Sequence, residues 1–572
     1  MTKSNQLSQI TAGGAIFTRL KALGVDYVFA NSGTDFPPVI EGLAEATSKK
    51  IPLPNALVIP HEHAAIGMAH GYYLATGKSQ VVMLHTNVGL SNGATAAINA
   101  ATDHIPVFIM SGRTPVMESN KFGARTVPIG WGQEMRDQAA LVREVSKWEY
   151  ELKFPEQISE LIDRGYCIAN STPKGPVYLS LPREVLCETC STEGITDPLT
   201  MAPARAAPDI NAVKEASRLL SQAKRPLIIG QRGAGSENSF SIFGKLVSEA
   251  AIPVCQYWAN QLIIPTDHEM HVGSDPLPWI EQADVILVID SLAPWWPDQH
   301  QPSSACNIIH AGPNPLFSRT PVRNFRSDIS IVGETADIIQ ALYRSMKPLL
   351  KNKESSLGKR RQDIARKSAQ IRKRIGKQAE LGNRNPMTKL WVSHCLSVAI
   401  QDQKKVTVLS ELGCPLDPLL IRQHGSWYQE PHSGGLGWSF TCGLGIQLAD
   451  KDRLVIATMG DGSYMFANPT VCHQIAEALE LPIITLVLNN REWGAVRRSV
   501  LGIYPDGYAS KANVMPLTSL EPTPNFVKTA EASRAWTATV DRGDDLLEVL
   551  KEAIDHVKTN RSQAMIDIRV AQ

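Results

Sequence analysis

The stretch Arg453–Trp493, RLVIATMGDGSYMFANPTVCHQIAEALELPIITLVLNNREW, decides the fold. Its two short runs of β-branched and aliphatic residues, Leu454 to Met459 and Ile483 to Leu488, read as parallel strands buried on both faces. Between them, Tyr464 to Leu481 has the length and apolar spacing of a crossover helix, so the segment is one βαβ unit with a right-handed connection. The first strand ends in Gly460-Asp461-Gly462 and the second in Asn489-Asn490, with 26 residues between Gly462 and Asn489. Both polar tips then lie at the carboxyl ends of parallel strands, where open α/β sheets bind ligands.

The same alternation extends through the chain. Residues 1–190 open with a helical segment ending near Gly24. Strands follow at Asp26 to Ala30, Ala56 to Pro60, Val81 to Leu84, Ile105 to Ser111 and Val177 to Leu181, with a helix from Glu62 to Thr76. His85 to Gly93, HTNVGLSNG, reads as a Gly/Asn-rich loop leading into another helix. A polar, proline-bearing run from Glu188 to Pro208 separates a second α/β unit, residues 205–345, with strands at Pro226 to Gly230, Ile252 to Cys255, Val285 to Asp290 and Ile308 to His310. A basic linker, 346–385, precedes a third unit, 386–572, that holds the strand Val406 to Leu409, the turn Ser433-Gly434-Gly435-Leu436-Gly437, the opening βαβ unit and a last strand, Ala564 to Arg569. The expected fold is α/β, with three doubly wound parallel-sheet domains. No sequence period shows a repeat of the first unit in the third.

Composition excludes several classes. The 572 residues carry a net charge of +1, which argues against nucleic acid or an acidic membrane surface as partner. No apolar run approaches the roughly 20 residues that cross a bilayer, and the start, MTKSNQLSQITAGG, has no signal-peptide core, so a cytoplasmic protein is expected. Nine scattered cysteines point to reduced thiols, and the lone Cys187-x-x-Cys190 reads as boundary loop rather than a zinc or redox site. The basic residues 351–380 lack aromatics and read as a solvated linker helix. The loop Gly230-Gln231-Arg232-Gly233-Ala234-Gly235 does not follow Gly-x-Gly-x-x-Gly, so a structural turn is preferred to a nucleotide site, FAD included.

At the two tips, Asp461 and Asn490 offer hard oxygen ligands to a small divalent cation. The backbone freed by Gly460 and Gly462, with a helix start at Ser463, faces a phosphate. The site suits a magnesium diphosphate. This arrangement resembles the thiamine diphosphate motif of the acetolactate synthase, pyruvate decarboxylase and benzoylformate decarboxylase superfamily. The resemblance covers essentially the whole chain and implies pyrimidine-binding, central and diphosphate-binding domains. It implies thiamine diphosphate as cofactor, with Asp461, Asn490 and the backbone carbonyl of Glu492 holding Mg2+.

Thiamine diphosphate supplies its own electron sink, so the protein must bind it, bend it and help its C2 carbon lose a proton. A carboxylic acid on ring nitrogen N1′ serves that end and needs a dry pocket. Pro60-His61-Glu62-His63-Ala64-Ala65 resembles the superfamily's His-Glu-x-Ala-Ala/Gly segment, which makes Glu62 the candidate. His61 and His63 do not share a face and are not read as metal ligands. By the same resemblance Leu436 is the wedge that keeps the cofactor bent, and the backbone at Gly434 accepts from the 4′-amino group.

The loop Leu84-His85-Thr86-Asn87-Val88-Gly89 looks like the Leu-His-Ser-Ala-Ala-Gly of benzoylformate decarboxylases, not the Thr-Ser-Gly-Pro-Gly usual in acetolactate synthases. Phe29-Ala30-Asn31-Ser32-Gly33-Thr34-Asp35 parallels the Phe-Gly-Asn-Pro-Gly-Ser-Asn of those decarboxylases. The match makes His85 a proton shuttle and puts Thr34 where they carry a substrate-binding serine. Their second histidine follows an Ala-Pro pair in the central domain; after Ala293-Pro294, His300 falls one position late.

The resemblance therefore implies decarboxylation of a 2-keto acid, ended by protonation to an aldehyde or by carboligation to an aldehyde acceptor. An acetolactate synthase is the alternative reaction, and a noncatalytic cofactor-binding protein the alternative class, against which Glu62, Asp461 and Asn490 argue. The family places its cofactor between the first domain of one subunit and the third of its partner, which implies a homodimer or homotetramer with the active site at the subunit interface.

Overall fold

The computed structural model describes residues 9–199, 201–351 and 353–571. The first eight residues, on which the expectation of no signal peptide partly rests, Thr200 in the polar run, Asn352 in the basic run and Gln572 lie outside the described residues. The chain divides into two compact units. One runs to Ala204 and takes in Pro431–Asp450; the other holds Arg205–Glu430 and the chain from Lys451 onward.

The first unit carries a six-stranded sheet in the order Asn55–Val58, Tyr27–Ala30, Gln80–Leu84, Val107–Arg113, Val177–Pro182, Glu149–Glu151, every pair parallel. Gln80–Leu84 and Val177–Pro182 are buried throughout, as inner strands covered on both faces must be. Thr189–Ser191, which contains Cys190, is no loop but an antiparallel partner of Gln9–Thr11.

In the second unit, five parallel strands run Val254–Cys255, Pro226–Gly230, Val285–Ile289, Asn307–Gly312, Ile329–Val332. Six more run Trp427–Gln429, Val406–Glu411, Leu454–Gly460, Ile484–Asn489, Ala564–Arg569, Trp536–Val540, again all parallel. Numbered along the chain, this sheet and the six-stranded sheet of the first unit share one order: second, first, third, fourth, sixth, fifth. The repeat that no sequence period reveals is present in topology. In both sheets the order reverses between the first and third strands, so a ligand crevice opens at the carboxyl ends of those two.

Three further expectations need correction. The crossover segment is two helices, Asp461–Phe466 and Pro469–Ala478, and the first begins at Asp461 rather than Ser463. Asn468 turns the chain at φ 54, and Pro469 has no N–H with which to continue the first helix. The segment His85 to Gly93 is not a loop, because a helix spans Thr86–Thr102. Its small residues serve packing: a Cβ on Gly93 would lie 2.9 Å from Ile66 Cδ1. The basic run is a helix, Glu354–Glu380, but not a purely solvated one, since Leu357, Ile364, Ser368 and Ala379 are buried. Its cations cap other helices. Lys353 Nζ donates to Ser221 O at 2.8 Å, Arg360 to Ala223 O and Ala250 O at 2.7 Å each, and Arg361 Nε to Ser248 O at 2.8 Å. Those carbonyls end the helices Ile210–Gln222 and Glu237–Ala250, where the dipole is negative, which gives Lys353, Arg360 and Arg361 a role in the packing.

The helix Glu62–Thr76 is buried at every position from Glu62 to Tyr72 and stops at Gly77, which adopts φ 71. It lies against Trp438–Ala449 with almost no side-chain spacer. A Cβ on Gly67, Gly71 or Gly445 would strike Thr441, Cys442 or Met68. Among the described residues no helix is long and apolar enough to cross a membrane.

Candidate active site

In the first unit the reversal of strand order brings the ends of Tyr27–Ala30 and Gln80–Leu84 side by side. Asp35, from the turn after the first, pairs through Oδ1 with Nδ1 of His85, the residue that follows the second. Asp35 Oδ2 receives the Thr86 N–H at 3.4 Å, and the Gln133 amide meets His85 Nε2 at 2.9 Å. Asp35 is 4% exposed and the His85 side chain 17%, so the pair is largely withdrawn from water. Two glycines create the space: a side chain on Gly33 would overlap the His85 ring, and one on Gly112 the Asp35 carboxylate. The hydrogen bond to Asp35, reinforced by the charges of Asp35 and Glu62, holds the His85 pKa above the usual imidazole range even though burial opposes it. Thr34 is exposed, and its carbonyl accepts from Arg183 Nη1 at 3.2 Å.

Glu62 opens its helix and is buried. Asn92 Nδ2 donates to its Oε2 at 3.2 Å, and a Cβ on Gly89 would lie 3.0 Å from its Oε1, so glycines of the Thr86–Thr102 helix lie directly over the carboxyl group. Burial lowers the pKa of His63 to about 4, which keeps it neutral, and its ring bonds the backbone of Gly437. The turn before Trp438 is fixed from the same side: Asn99 Nδ2 donates to Gly435 O at 2.9 Å, and Ser433 Oγ to Asn99 Oδ1 at 2.7 Å. In that turn Gly434 takes φ 69 and is exposed, while Leu436 is half-buried.

In the second unit, the strands ending at Gly460 and Asn489 are hydrogen-bonded neighbours, so Asp461 and the turn Asn490–Trp493 meet. Asp461 is 2% exposed; its Oδ1 accepts from Gly462 N at 3.0 Å, and the Arg491 backbone N–H faces the same carboxylate. Its Oδ2 is buried with no hydrogen-bond partner among the described residues, and burial raises its pKa. Asn490 Oδ1 accepts from Glu492 N at 3.3 Å, and the Glu492 carbonyl accepts from Gly494 N at 2.7 Å. The Glu492 side chain, in contrast, is tied to Thr518 Oγ1 at 2.6 Å and Arg497 at 3.1 Å. Gly462 could carry no side chain, because its Cβ would enter the Trp493 ring. Ser463 is buried within the short helix that Asp461 begins.

His300 lies in the central domain, buried, with Nδ1 accepting from Trp296 N at 3.1 Å and its ring edge-on to Tyr257 at 5.7 Å. The structure thus gathers His85 and Glu62 in one crevice beside Thr34, and Asp461 with Asn490 and Glu492 at another; His300 belongs to neither strand-end pair. Sequence reading passed over Asp35, Gln133 and Trp493 as site residues. Asp35 had a signal, as an acid directly after Thr34 where the similar decarboxylases carry asparagine. Gln133 had none, because it reaches His85 from 48 residues away.

Residues 10–141 match the family description "Thiamine pyrophosphate enzyme, N-terminal TPP binding domain", residues 213–342 the central domain and residues 417–568 the C-terminal TPP binding domain. A probable 2-ketoarginine decarboxylase of Pseudomonas aeruginosa is 24% identical over 563 residues, covering 95% of this chain and 91% of that one. A probable acetolactate synthase large subunit of Methanocaldococcus jannaschii is 23% identical over 569 residues, covering 94% and 89%. Among solved structures, the thiamine diphosphate-dependent 4-hydroxybenzoylformate decarboxylase of Rhodococcus jostii superposes with a TM-score of 0.78 at 20% identity, over 98% of this chain and 99% of that one.

Proposed function

The chain belongs to the thiamine pyrophosphate enzymes, and from that premise we propose that it decarboxylates a 2-keto acid with thiamine diphosphate and Mg2+, then either protonates the product to an aldehyde or joins it to an aldehyde acceptor. The observation that carries this reading is His85, an imidazole held by Asp35 on Nδ1 and Gln133 on Nε2 at the strand-order reversal of the pyrimidine-binding domain. A proton donor placed there suits a cycle that ends by protonating the carbon that lost CO2, and it can equally protonate the alkoxide formed on an aldehyde acceptor.

The residues present suit the cofactor. The orphaned Asp461 Oδ2, with Asn490 and the Glu492 carbonyl, would hold Mg2+ and through it the diphosphate, with Gly460, Gly462 and Ser463 shaping the turn. Glu62, Gly434 and Leu436 would hold the pyrimidine half. Bound there, thiamine diphosphate supplies the electron sink for loss of CO2. Asn92 holds Glu62 Oε2, which leaves Oε1 as the oxygen we assign to the pyrimidine ring nitrogen. The Thr34 hydroxyl orients the substrate carboxylate, and His85 delivers the proton. His300, whose Nδ1 accepts from Trp296 N, is assigned as a second proton-bearing group for the reaction.

We assign no FAD to the central domain. The Gly230–Gly235 loop forms a bridge between Arg232 and Gln261, and Arg232 lies 5.0 Å over the Phe317 ring, features of a packed turn. We read the working form as a dimer or tetramer in which first and third domains of different subunits share the cofactor. Exposed apolar residues such as Val58, Phe122, Ile503 and Leu517 are the surface such contacts would cover. The alternative reaction is acetolactate synthesis, the activity named for the Methanocaldococcus jannaschii relative.

The test is product analysis. With thiamine diphosphate and Mg2+, the protein is given pyruvate, benzoylformate and 2-ketoarginine, each with and without benzaldehyde. Aldehyde or hydroxyketone formation supports the proposal, and 2-acetolactate as the sole product from pyruvate overturns it in favour of the synthase.

A further inference from the structure

His85 is held at both ends of its ring, and the two holders differ in kind. Asp35 is a buried carboxylate on Nδ1, whereas Gln133 is a neutral amide on Nε2. An amide can donate N–H to an unprotonated nitrogen or turn its oxygen toward N–H, so Gln133 tolerates either protonation state. Asp35 does not: it accepts only, and so requires hydrogen on Nδ1. The site is built around this contact, since Gly112 leaves room for the carboxylate, Gly33 leaves room for the ring, and the Thr86 N–H holds the second carboxylate oxygen. The charged groups acting on the imidazole are both acids, Asp35 from the turn after Tyr27–Ala30 and Glu62 from the start of the next helix.

We propose that Asp35 is a positioning residue for proton delivery: it locks the His85 ring with hydrogen on Nδ1, and stabilises the imidazolium so that Nε2–H is the bond that gives up the proton. This deepens the reading of His85 as proton donor and rests on it. In the step, the Nε2–H bond breaks while a C–H bond forms on the carbon that lost CO2, with the electron pair supplied by that carbon. The ring is left neutral with hydrogen on Nδ1 against Asp35, and water returns a proton to Nε2. Gln133 holds Nε2 before and after the step and gives up that contact during it, since the nitrogen has one in-plane bonding direction and must turn it to the carbon. The logic is that of an acid orienting a catalytic histidine. Because the folded pKa is raised, the imidazolium is present below that pKa and is lost as pH rises through it. The alkaline limb of aldehyde release is therefore the limb that Asp35 controls.

The experiment titrates His85 in the holoenzyme, full chain with thiamine diphosphate and Mg2+, by mass spectrometric hydrogen exchange at the imidazole carbon between the two nitrogens. In the wild type the midpoint lies above the ordinary value of about 6.5. In Asp35→Asn it falls by about one unit or more, while that of buried His473 stays in place. The alkaline limb of kcat for aldehyde release from the best of the three keto acids moves down by the same amount with KM unchanged. Asp35→Asn adds no further loss on a His85→Ala background, as expected if it acts through the ring. An unmoved His85 midpoint in Asp35→Asn, or a wild-type midpoint at or below about 6.5, overturns the proposal; the second measurement stands even if the variant does not fold. The two readings fail differently. Undiminished aldehyde release in His85→Ala removes the proton donor itself, whereas loss in His85→Ala with none in Asp35→Asn removes only the role of Asp35.

Discussion

Replacing Gly71 by alanine should loosen the helix pair on which the first-unit site is built. A Cβ there would sit 2.8 Å from the Cys442 carbonyl carbon and 3.1 Å from its Cα, inside the 3.4 Å at which ordinary contact begins. Both are backbone atoms, so no side-chain rotation relieves the overlap and the Trp438–Ala449 helix must move. A Cβ on Gly67 or on Gly445 would likewise sit 2.5 Å from Thr441 Cβ or 2.8 Å from Met68 C, so the interface cannot pivot about one end. Two effects compete. Alanine gains about 1 kcal/mol over glycine inside a helix, while overpacking a filled interface costs about 1–3 kcal/mol. With backbone struck directly the cost lies high in its range, and the net loss should be about 1–2 kcal/mol. The matched control is Gly376→Ala in the Glu354–Glu380 helix, where a Cβ meets nothing within 4 Å and the same exchange should stabilise by up to about 1 kcal/mol. Urea titration followed by circular dichroism reads both signs as opposite shifts of midpoint at unchanged slope. Thiamine diphosphate affinity should also weaken in Gly71→Ala alone, because the Gly434–Leu436 turn is carried by the displaced helix. A Gly71→Ala midpoint at or above wild type would refute the close-packing argument.

Asp461→Ala should abolish thiamine diphosphate binding in calorimetry with Mg2+ while circular dichroism stays native; undiminished affinity would move the cation site elsewhere. Glu62→Gln should bind cofactor nearly normally yet slow exchange of the thiamine C2 proton at least ~100-fold, followed by quench NMR. Arg19 pairs with Asp163 at 2.6 Å and 2.5 Å, with side chains 2% and 3% exposed, so Arg19→Met should cost about 3–5 kcal/mol by leaving a buried carboxylate uncompensated. Adding Asp163→Leu should restore much of that loss, and an equal loss in the double variant would argue against the charge explanation.

What could be read without coordinates follows burial. Strands such as Leu454–Gly460 and Ile484–Asn489 are covered on both faces and show as unbroken apolar runs. Glu62–Thr76 was legible to its last residue because Gly77 stops it in a left-handed conformation. The short strands Glu149–Glu151, Ile329–Val332, Trp427–Gln429 and Trp536–Val540 lie at sheet edges, and their pairing comes from neighbours rather than from their own pattern. Pro469 did announce the broken crossover helix, but apolar spacing on both sides hid it. His85 and Thr34 could be picked out by resemblance. Their setting could not, because strand order brings Asp35 to a histidine 50 residues away and the loop path brings Gln133. The shared strand order of the two six-stranded sheets is likewise a property of pairing, visible only once the strands are placed.

The claim that the cycle ends with a proton from His85 is tested most directly by rapid-quench single turnover of His85→Ala, measuring CO2 and aldehyde from the same samples. CO2 should appear at nearly the wild-type rate while aldehyde release falls at least ~100-fold, and coupling to added benzaldehyde should fall less than protonation. Aldehyde appearing in step with CO2 as in the wild type, together with efficient 2-acetolactate formation from pyruvate by the wild-type protein, would contradict the account.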